Sequence, residues 1–222
     1  MTTDLPFQAI IFDMDETLVA SLQSWTHAET RLFKLLGAEY TAEIAQRYAG
    51  MNAQDVARTI YRETRPAQYT EEDCARLMRE YLLEGFRGPL HAMPGADALI
   101  RGLAGRLPLA VASGSPLEGI ALAFRQFGWS RFFSVIVSSE EVAHGKPSPD
   151  VFLEAGRRLG CPPTSTLVIE DSLHGVHAAK AAGMTCYVVP SRDDPRIAEA
   201  ADRAFTSLDG ITNILLKGDA HA

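Results

Sequence analysis

The sequence is poor in cysteine, and its first residues carry no export signal. The three cysteines, Cys74, Cys161 and Cys186, are odd in number and widely spaced. They therefore form neither a disulfide framework nor a CxxC metal pair, and a reducing compartment is the simplest interpretation. Residues 1–4 lack the basic and long apolar regions of a signal peptide. We therefore expect a cytoplasmic protein.

Positive charge and long hydrophobic runs are also scarce. Lys and Arg number 21 against 28 Asp and Glu, which gives a net charge of −7 over 222 residues. Nucleic-acid binding needs clustered Lys and Arg against the phosphate backbone, so we expect no nucleic-acid partner. No apolar run approaches the roughly 20 residues of a membrane span, so we expect no membrane partner. A monomer would be unsurprising.

The chain is organised around residues 10–18, where a short apolar run ends in Asp13 and Asp15. A few apolar residues bounded by polar ones favour a fully buried strand. The two carboxylates would then lie at the carboxyl end of that strand. Because open parallel α/β sheets bind ligands at this edge, Asp13 and Asp15 are candidate residues of a magnesium site.

The rest of the chain divides into two patterns. Between residues 21 and 86 the apolar spacing predicts helices and no good strand, whereas from residue 96 onward helices alternate with short strands. Repeated βα units imply a parallel sheet with helices on both faces. We therefore predict an α/β fold with a Rossmann-like, doubly wound parallel sheet core, residues 1–18 and 90–222. An all-helical domain, residues 19–89, is inserted into it.

Polar residues also follow the second predicted strand of the core. There Ser113 and Gly114 precede Ser115 and Glu118, which have the spacing of a capping box at the start of a helix. The free N–H groups of a helix end attract anions, so Ser113 and the amide of Gly114 would face a bound phosphate. The alternative is a capped helix without a ligand.

A second acidic pair, Glu170 and Asp171, follows a later strand. Up to four carboxylates on one sheet edge cannot all stay ionised without a cation. Mg2+ takes oxygen ligands, and two or three of these groups would suffice. His174 and His177 have HxxH spacing, but the hard carboxylate set favours Mg2+ over a transition metal. The alternative role for Asp171 is the N-cap of the next helix.

Lys146 lies between Gly145 and Pro147 in a stretch that predicts a rigid loop. A rigid lysine can act as a point charge on a phosphate and on a nucleophile. The chain has no GxxxxGK[ST] motif, so Lys146 is not a P-loop lysine. A single lysine is more often a surface residue, and its importance here depends on the strand ends around it.

Taken together, these residues resemble the four motifs of the haloacid dehalogenase superfamily of phosphohydrolases. The counterparts, which span almost the whole chain, are residues 13–17 (DMDET), Ser113, Lys146 and the pair Glu170 and Asp171. The insert looks like the helical cap domain of the β-phosphoglucomutase-like branch. Residues 112–116 and 189–196 look most like the hexitol and 2-deoxyglucose-6-phosphate phosphatases of that branch. The resemblance implies Mg2+ as cofactor and a small phosphorylated metabolite as substrate.

The resemblance also implies a role for each residue. Asp13 would be the nucleophile that forms an aspartyl phosphate, and Asp15 the general acid and base. Ser113, Gly114 and Lys146 would hold the phosphoryl oxygens. The implied metal ligands are Asp13, the backbone carbonyl of Asp15, and Asp171, with Glu170 assisting.

The chain departs from the family pattern at three places, and one of them is Ala20, where the family usually has an aspartate. Glu16 occupies the position of the usual glycine, where its side chain would contact the substrate or a hinge. The mutases carry an arginine shortly after a glycine that resembles Gly50, but here the next arginine is Arg58. This difference favours a phosphatase over a mutase. The dehalogenase members lack the second aspartate, so Asp15 indicates phosphate chemistry.

We therefore predict a phosphoric monoester hydrolase that is Mg2+-dependent and acts on a sugar or polyol phosphate. Two alternatives stay open. One is phosphoryl transfer of the β-phosphoglucomutase type. The other is a catalytically silent metabolite-binding protein, for which Glu16 is the only support.

Overall fold

Short strands and helices alternate along the chain on either side of a run of four helices. The computed structural model describes residues 5–217, so residues 1–4, on which the expectation about a signal peptide rests, lie outside the described part. The strands are β1 (Ala9–Phe12), β2 (Val19–Ala20), β3 (His91–Ala92), β4 (Leu109–Ser113), β5 (Val135–Ser138), β6 (Thr166–Glu170), β7 (Thr185–Val188) and β8 (Arg203–Ala204). The helices are α1 (Leu22–Leu35), α2 (Ala42–Tyr48), α3 (Ala53–Thr64), α4 (Glu71–Arg87), α5 (Ala96–Leu103), α6 (Leu117–Phe127), α7 (Asp150–Leu159), α8 (Leu173–Ala181), α9 (Pro195–Ala200) and α10 (Leu208–Lys217). None of these helices is long and apolar enough to cross a bilayer.

The buried strand β1 lies at the centre of a six-stranded sheet. The strand order is β5-β4-β1-β6-β7-β8, and every neighbouring pair is parallel. In the register Phe12 pairs with Val111 on one side and with Ile169 on the other. The carboxyl ends of β1, β4 and β6 therefore lie side by side, and the residues that follow them meet at one edge.

Alternate residues of β1 pack into the two faces of the sheet. Ile10 and Phe12 belong to a hydrophobic cluster with residues of α5, α6 and α10, whereas Ile11 belongs to a second cluster with residues of α7, α8 and α9. This period-2 alternation is the ordinary geometry of a strand buried on both faces. The predicted α/β fold with a doubly wound parallel sheet is confirmed.

Helices α1 to α4 follow one another without an intervening strand, but β2 (Val19–Ala20) lies within residues 19–89, the range predicted to be all-helical. Helix α4 packs against both α1 and α3, and it also contacts α6 of the core. The strands on either side of the four helices, β2 and β3, pair as a short antiparallel ladder, with Val19 opposite Ala92 and Ala20 opposite His91. The ladder thus joins the segment before α1 to the segment after α4.

Candidate active site

Three side chains predicted for the site form a buried ion-pair network at the carboxyl edge of the sheet. Asp13 follows β1, Glu170 ends β6, and Lys146 comes from the loop before α7. Lys146 Nζ lies 2.7 Å from Asp13 Oδ1 and 2.6 Å from Glu170 Oε1. The side chains of Lys146, Asp13 and Glu170 are only 2%, 7% and 0% exposed. One buried lysine thus joins two carboxylates that are far apart in the sequence.

The electrostatics of this network set the charge of each member. Burial raises the pKa of Asp13 from 3.8 to about 8, against the attraction of Lys146 and with support from the charges of Glu170 and Asp15. Burial would also raise the pKa of Glu170, but Lys146 and two backbone amides outweigh it and hold that pKa below its ordinary value. Burial would lower the pKa of Lys146, yet the two carboxylates raise it above its ordinary value. Lys146 is therefore charged at neutral pH.

Glu170 is held on both carboxylate oxygens. Its Oε1 accepts from Lys146, and its Oε2 accepts from the amides of Asp171 and Ser172 at 2.9 and 3.0 Å and from the Ser172 hydroxyl at 3.0 Å. A β-carbon at Gly175 would lie 1.7 Å from Oε1, so the first turn of α8 needs a glycine to pack against this carboxylate. Glu170 is thereby fixed as the partner that orients Lys146.

The acidic residues at this edge fit a divalent cation. Asp13, Glu170 and Asp171 each place one carboxylate oxygen within 4.8 Å of the others. Oδ2 of Asp13 is buried and has no hydrogen-bond partner among the described residues, although buried polar atoms normally have one. Burial, together with the charges of Glu170 and Asp13, raises the pKa of Asp171. An unpaired buried oxygen within a cluster of hard oxygen donors suits Mg2+.

The side chain of Asp15 is engaged separately from this acidic cluster. Its Oδ1 accepts from the Ser21 hydroxyl at 2.7 Å and from the Trp25 indole N–H at 3.0 Å. Its Oδ2 accepts from the hydroxyls of Ser113 and Ser115 at 2.8 and 2.9 Å. Two donors come from the start of the insert and two from the end of β4, so Asp15 links the insert to the core.

The predicted capping box after β4 is wrong. Helix α6 begins at Leu117 with Pro116 at the N-cap position, and the Leu117 amide donates to Glu140 Oε2 at 3.0 Å rather than to Ser115. The Ser115 hydroxyl donates to Asp15 instead. Glu118 forms exposed ion pairs with Arg79 and Arg87 of α4 at 3.5 and 3.2 Å. The sequence pattern fits a cap, but Asp15 competes for the same hydroxyl and is the charged acceptor.

The contacts of three further residues, Asp171, Trp25 and His174, were predicted wrongly from the sequence or not predicted at all. The N-cap of α8 is Ser172, so the alternative role of Asp171 as that N-cap is wrong. Trp25 has the apolar spacing of a packing residue, and only the folded chain brings its indole N–H to Asp15. His174 Nδ1 lies 2.7 Å from the backbone oxygen of Ala49 and so contacts the insert. No pattern among neighbouring residues in the sequence predicts these long-range partners.

Glu16 has the left-handed backbone that explains why glycine is usual at this position. Its φ is +60°, a region where a β-carbon is strained. Its Oε1 accepts from the amides of Ser21 and Leu22 at 2.8 and 2.7 Å at the start of α1. Because the Ser21 hydroxyl is used by Asp15, Glu16 caps α1 in its place. Of the two expected contacts, the one with the hinge is present.

A cleft lies between the insert and the sheet edge. The core lines it with Asp13, Asp15, Glu16, Gly114, Asp171, Ser172, Ser191 and Arg192, and the insert lines it with Leu22, Trp25, Glu29, Tyr40, Ala45, Tyr48, Ala49, Gly50 and Met51. At its rim the Arg192 guanidinium donates to the backbone oxygen of Ala45 at 3.2 Å. The predicted site residues Asp13, Asp15, Glu16, Gly114 and Asp171 thus line one cleft.

Comparisons with known proteins match this arrangement. Residues 10–189 match the model of the haloacid dehalogenase-like hydrolase family. The chain is 31% identical over 222 residues to hexitol phosphatase B of Escherichia coli (strain K12), covering 96% of this chain and 97% of that protein. It is 45% identical over 130 residues to the bifunctional riboflavin kinase/FMN phosphatase of Arabidopsis thaliana, covering 57% of this chain and only 32% of that longer protein. Its structure resembles that of CbbY from Rhodobacter sphaeroides in complex with phosphate, with a TM-score of 0.79, 31% identity, and coverage of 90% of this chain and 94% of the other.

Proposed function

The chain belongs to the haloacid dehalogenase-like hydrolase family, and we propose that it is a Mg2+-dependent phosphatase of a sugar or polyol phosphate. The observation that carries this proposal is the difference between the two carboxylate oxygens of Asp13. One of its oxygens pairs with the buried Lys146, and the other is buried without a hydrogen-bond partner among the described residues. An oriented carboxylate with one uncommitted oxygen is suited to covalent catalysis.

In the proposed reaction Asp13 attacks the phosphorus, an aspartyl phosphate forms, and the alcohol leaves. Lys146 stabilises the negative charge of Asp13 and of the phosphoryl oxygens. The Ser113 hydroxyl, which donates to Asp15 in this structure, would turn to a phosphoryl oxygen when substrate binds, and the amide of Gly114 would bind another. When bound, Mg2+ would screen the repulsion between the carboxylate and the phosphate dianion. Its proposed ligands are Asp13, the backbone carbonyl of Asp15, and Asp171, with Glu170 assisting.

We assign Asp15 as the general acid and base. It would protonate the leaving alcohol and then remove a proton from the water that cleaves the aspartyl phosphate. The hydroxyls of Ser113 and Ser115 orient it from the core, and Ser21 and Trp25 orient it from the insert. Because half of its donors belong to the insert, its orientation is coupled to the position of the insert.

The insert, residues 19–89, is proposed to act as a cap over the core, residues 1–18 and 90–222. Closure would exclude bulk water and select the substrate. Two contacts across the cleft support this role: His174 with the backbone oxygen of Ala49, and Arg192 with that of Ala45. From here on, the insert is called the cap.

The proposal is tested by phosphate release from a panel of sugar and polyol phosphates, with Mg2+ and with chelator. The variant D13N removes the nucleophile, and D209N, which alters an exposed aspartate on α10, is the matched control. We expect D13N to lose about a thousandfold or more in kcat, because the covalent route is closed. Turnover that survives in D13N, or full activity in chelator, contradicts the mechanism.

The two alternatives are less well supported. Arg58, the first arginine after Gly50, pairs with Asp55 and Glu71 at 2.9 and 2.8 Å and does not line the cleft. A mutase would convert β-glucose 1-phosphate, in the presence of a bisphosphate primer, to its isomer without free phosphate. The silent-binding alternative depends on Glu16, whose carboxylate caps α1. A panel without any turnover would favour that alternative.

A further inference from the structure

The cap places a buried carboxyl group in the cleft, opposite the catalytic edge of the sheet. Glu29 of α1 is 5% exposed and lines the cleft with Tyr40. The Tyr40 hydroxyl donates to Glu29 Oε2. Oε1 accepts no hydrogen bond from the described residues, and it is not sealed from solvent as Asp13 Oδ2 is. A buried carboxyl with one open acceptor is unfavourable unless a ligand or water supplies a donor.

The residues that line the cleft around Glu29 include more carboxyl groups than basic groups. Among the lining residues, the carboxyl groups are those of Asp13, Asp15, Glu16, Glu29 and Asp171, whereas Arg192 is the lining cation. The charge of Arg192 lowers the pKa of Glu16 and of Glu29, although burial, the larger effect, raises both. Among the lining residues a second anion would therefore meet one basic side chain and several carboxyl groups.

We propose that Glu29, held by Tyr40, accepts a hydrogen bond from a hydroxyl of the leaving alcohol and thereby selects the substrate. The favoured class is the phosphate monoester of a neutral, polyhydroxylated alcohol, and esters that carry a second phosphate or a carboxylate are rejected. A site built to bind a substrate hydroxyl discriminates strongly against analogues that lack it, because its own polar group is then left unpaired. This inference rests on the proposed phosphatase function and extends it to the leaving group.

A purely structural role is the competing explanation, because the Tyr40 bond also ties the segment after α1 to that helix. The cap contains a second pair of the same kind, in which the Tyr48 hydroxyl donates to Glu63 at 3.0 Å. Glu63 does not line the cleft. The substitution E63Q, which also removes an ion pair with Arg47 at 3.1 Å, is therefore a control for the loss of a tyrosine-bonded carboxylate elsewhere in the cap.

The experiment measures kcat/KM with Mg2+ for wild type, E29Q, E29L and E63Q. The substrates are a polyol monophosphate, an alkyl phosphate of the same length without hydroxyls, and the corresponding polyol bisphosphate. We expect the preference for the polyol over the alkyl phosphate to fall about three- to tenfold in E29Q and about ten- to a hundredfold in E29L. The relative turnover of the bisphosphate should rise in both. E63Q should keep the wild-type preferences.

The possible results separate this inference from the proposed function. If wild type hydrolyses the esters but both Glu29 variants keep its preferences within about twofold, the inference is overturned and the phosphatase stands. A preference that falls equally in E63Q also overturns it, because the effect would then be structural. If wild type releases no phosphate from any ester, the proposed function fails as well. E29Q is isosteric, so it decides the matter should E29L not fold, as checked by thermal unfolding.

Discussion

Replacing Lys146 by methionine should destabilise the protein far more than removal of an ion pair of the same length on its surface. Lys146 contacts Asp13 and Glu170 at 2.7 and 2.6 Å in the buried network. Lys180 contacts Asp202 at 2.6 Å, but those two side chains are 42% and 37% exposed. K180M is therefore a matched control in which the distance is the same and the burial differs.

The expected magnitude follows from this burial. Removing one partner of a buried ion pair leaves an uncompensated charge and costs about 3–5 kcal/mol, whereas exposed pairs contribute about 0–1 kcal/mol. Glu170 is fully buried when it loses its cation in K146M, so we expect a loss in the upper part of this range, about 4–5 kcal/mol. For a chain of this size each kcal/mol shifts Tm by roughly 2–4 °C, which gives a decrease of roughly 8–20 °C.

The assay is urea unfolding in chelator between pH 8 and pH 4. In wild type the pKa of Glu170 is held below its ordinary value of 4.5, so this group stabilises the fold above that pH and the effect is lost as the pH falls through the folded-state pKa. K146M lacks this stabilisation, and its orphaned carboxyls can protonate as the pH falls. The difference between K146M and wild type should therefore shrink toward pH 4. A loss no larger than that of K180M, or one independent of pH, refutes the reasoning.

Three further predictions concern the metal, Glu16 and cap closure. Mg2+ should bind more tightly as the pH rises toward 8, because burial raises the pKa of Asp13 to about 8 and the ion must displace its proton below that pH. Calorimetry in two buffers of different ionisation enthalpy should detect this proton release, and binding without it contradicts the assignment. E16A should lose about 1–2 kcal/mol in urea unfolding because α1 loses its cap, and E16G should be about 1 kcal/mol more stable than E16A because glycine tolerates the positive φ; equal stabilities would contradict the strain argument. G145A should raise KM with little change in stability, because the added β-carbon would lie 1.7 Å from Nδ2 of Asn52 in the cap. The second substitution N52S should restore KM. An unchanged KM in G145A would show that close contact between Gly145 and Asn52 is not needed for turnover.

Much of the fold could be predicted because the spacing of apolar residues follows the period of the strand or helix that they form. The run ending at Phe12 is uniformly apolar, as a strand buried on both faces must be, and it is the central strand of the sheet. Once the sheet is parallel, the ends of β1, β4 and β6 must meet at one edge. The closeness of Asp13 and Glu170 therefore followed from the sequence pattern together with the topology.

The order of residues places particular side chains at the strand ends, but folding establishes which groups each of them contacts. Ser115 could cap a helix or donate to Asp15, and the choice depends on Asp15 lying 100 positions away in the chain. Glu16 caps α1 only because Asp15 takes the Ser21 hydroxyl. A local sequence pattern reflects only the interactions that residues close together in the chain can make. Competition among distant polar groups for the same donor is settled only when folding brings them within hydrogen-bond distance.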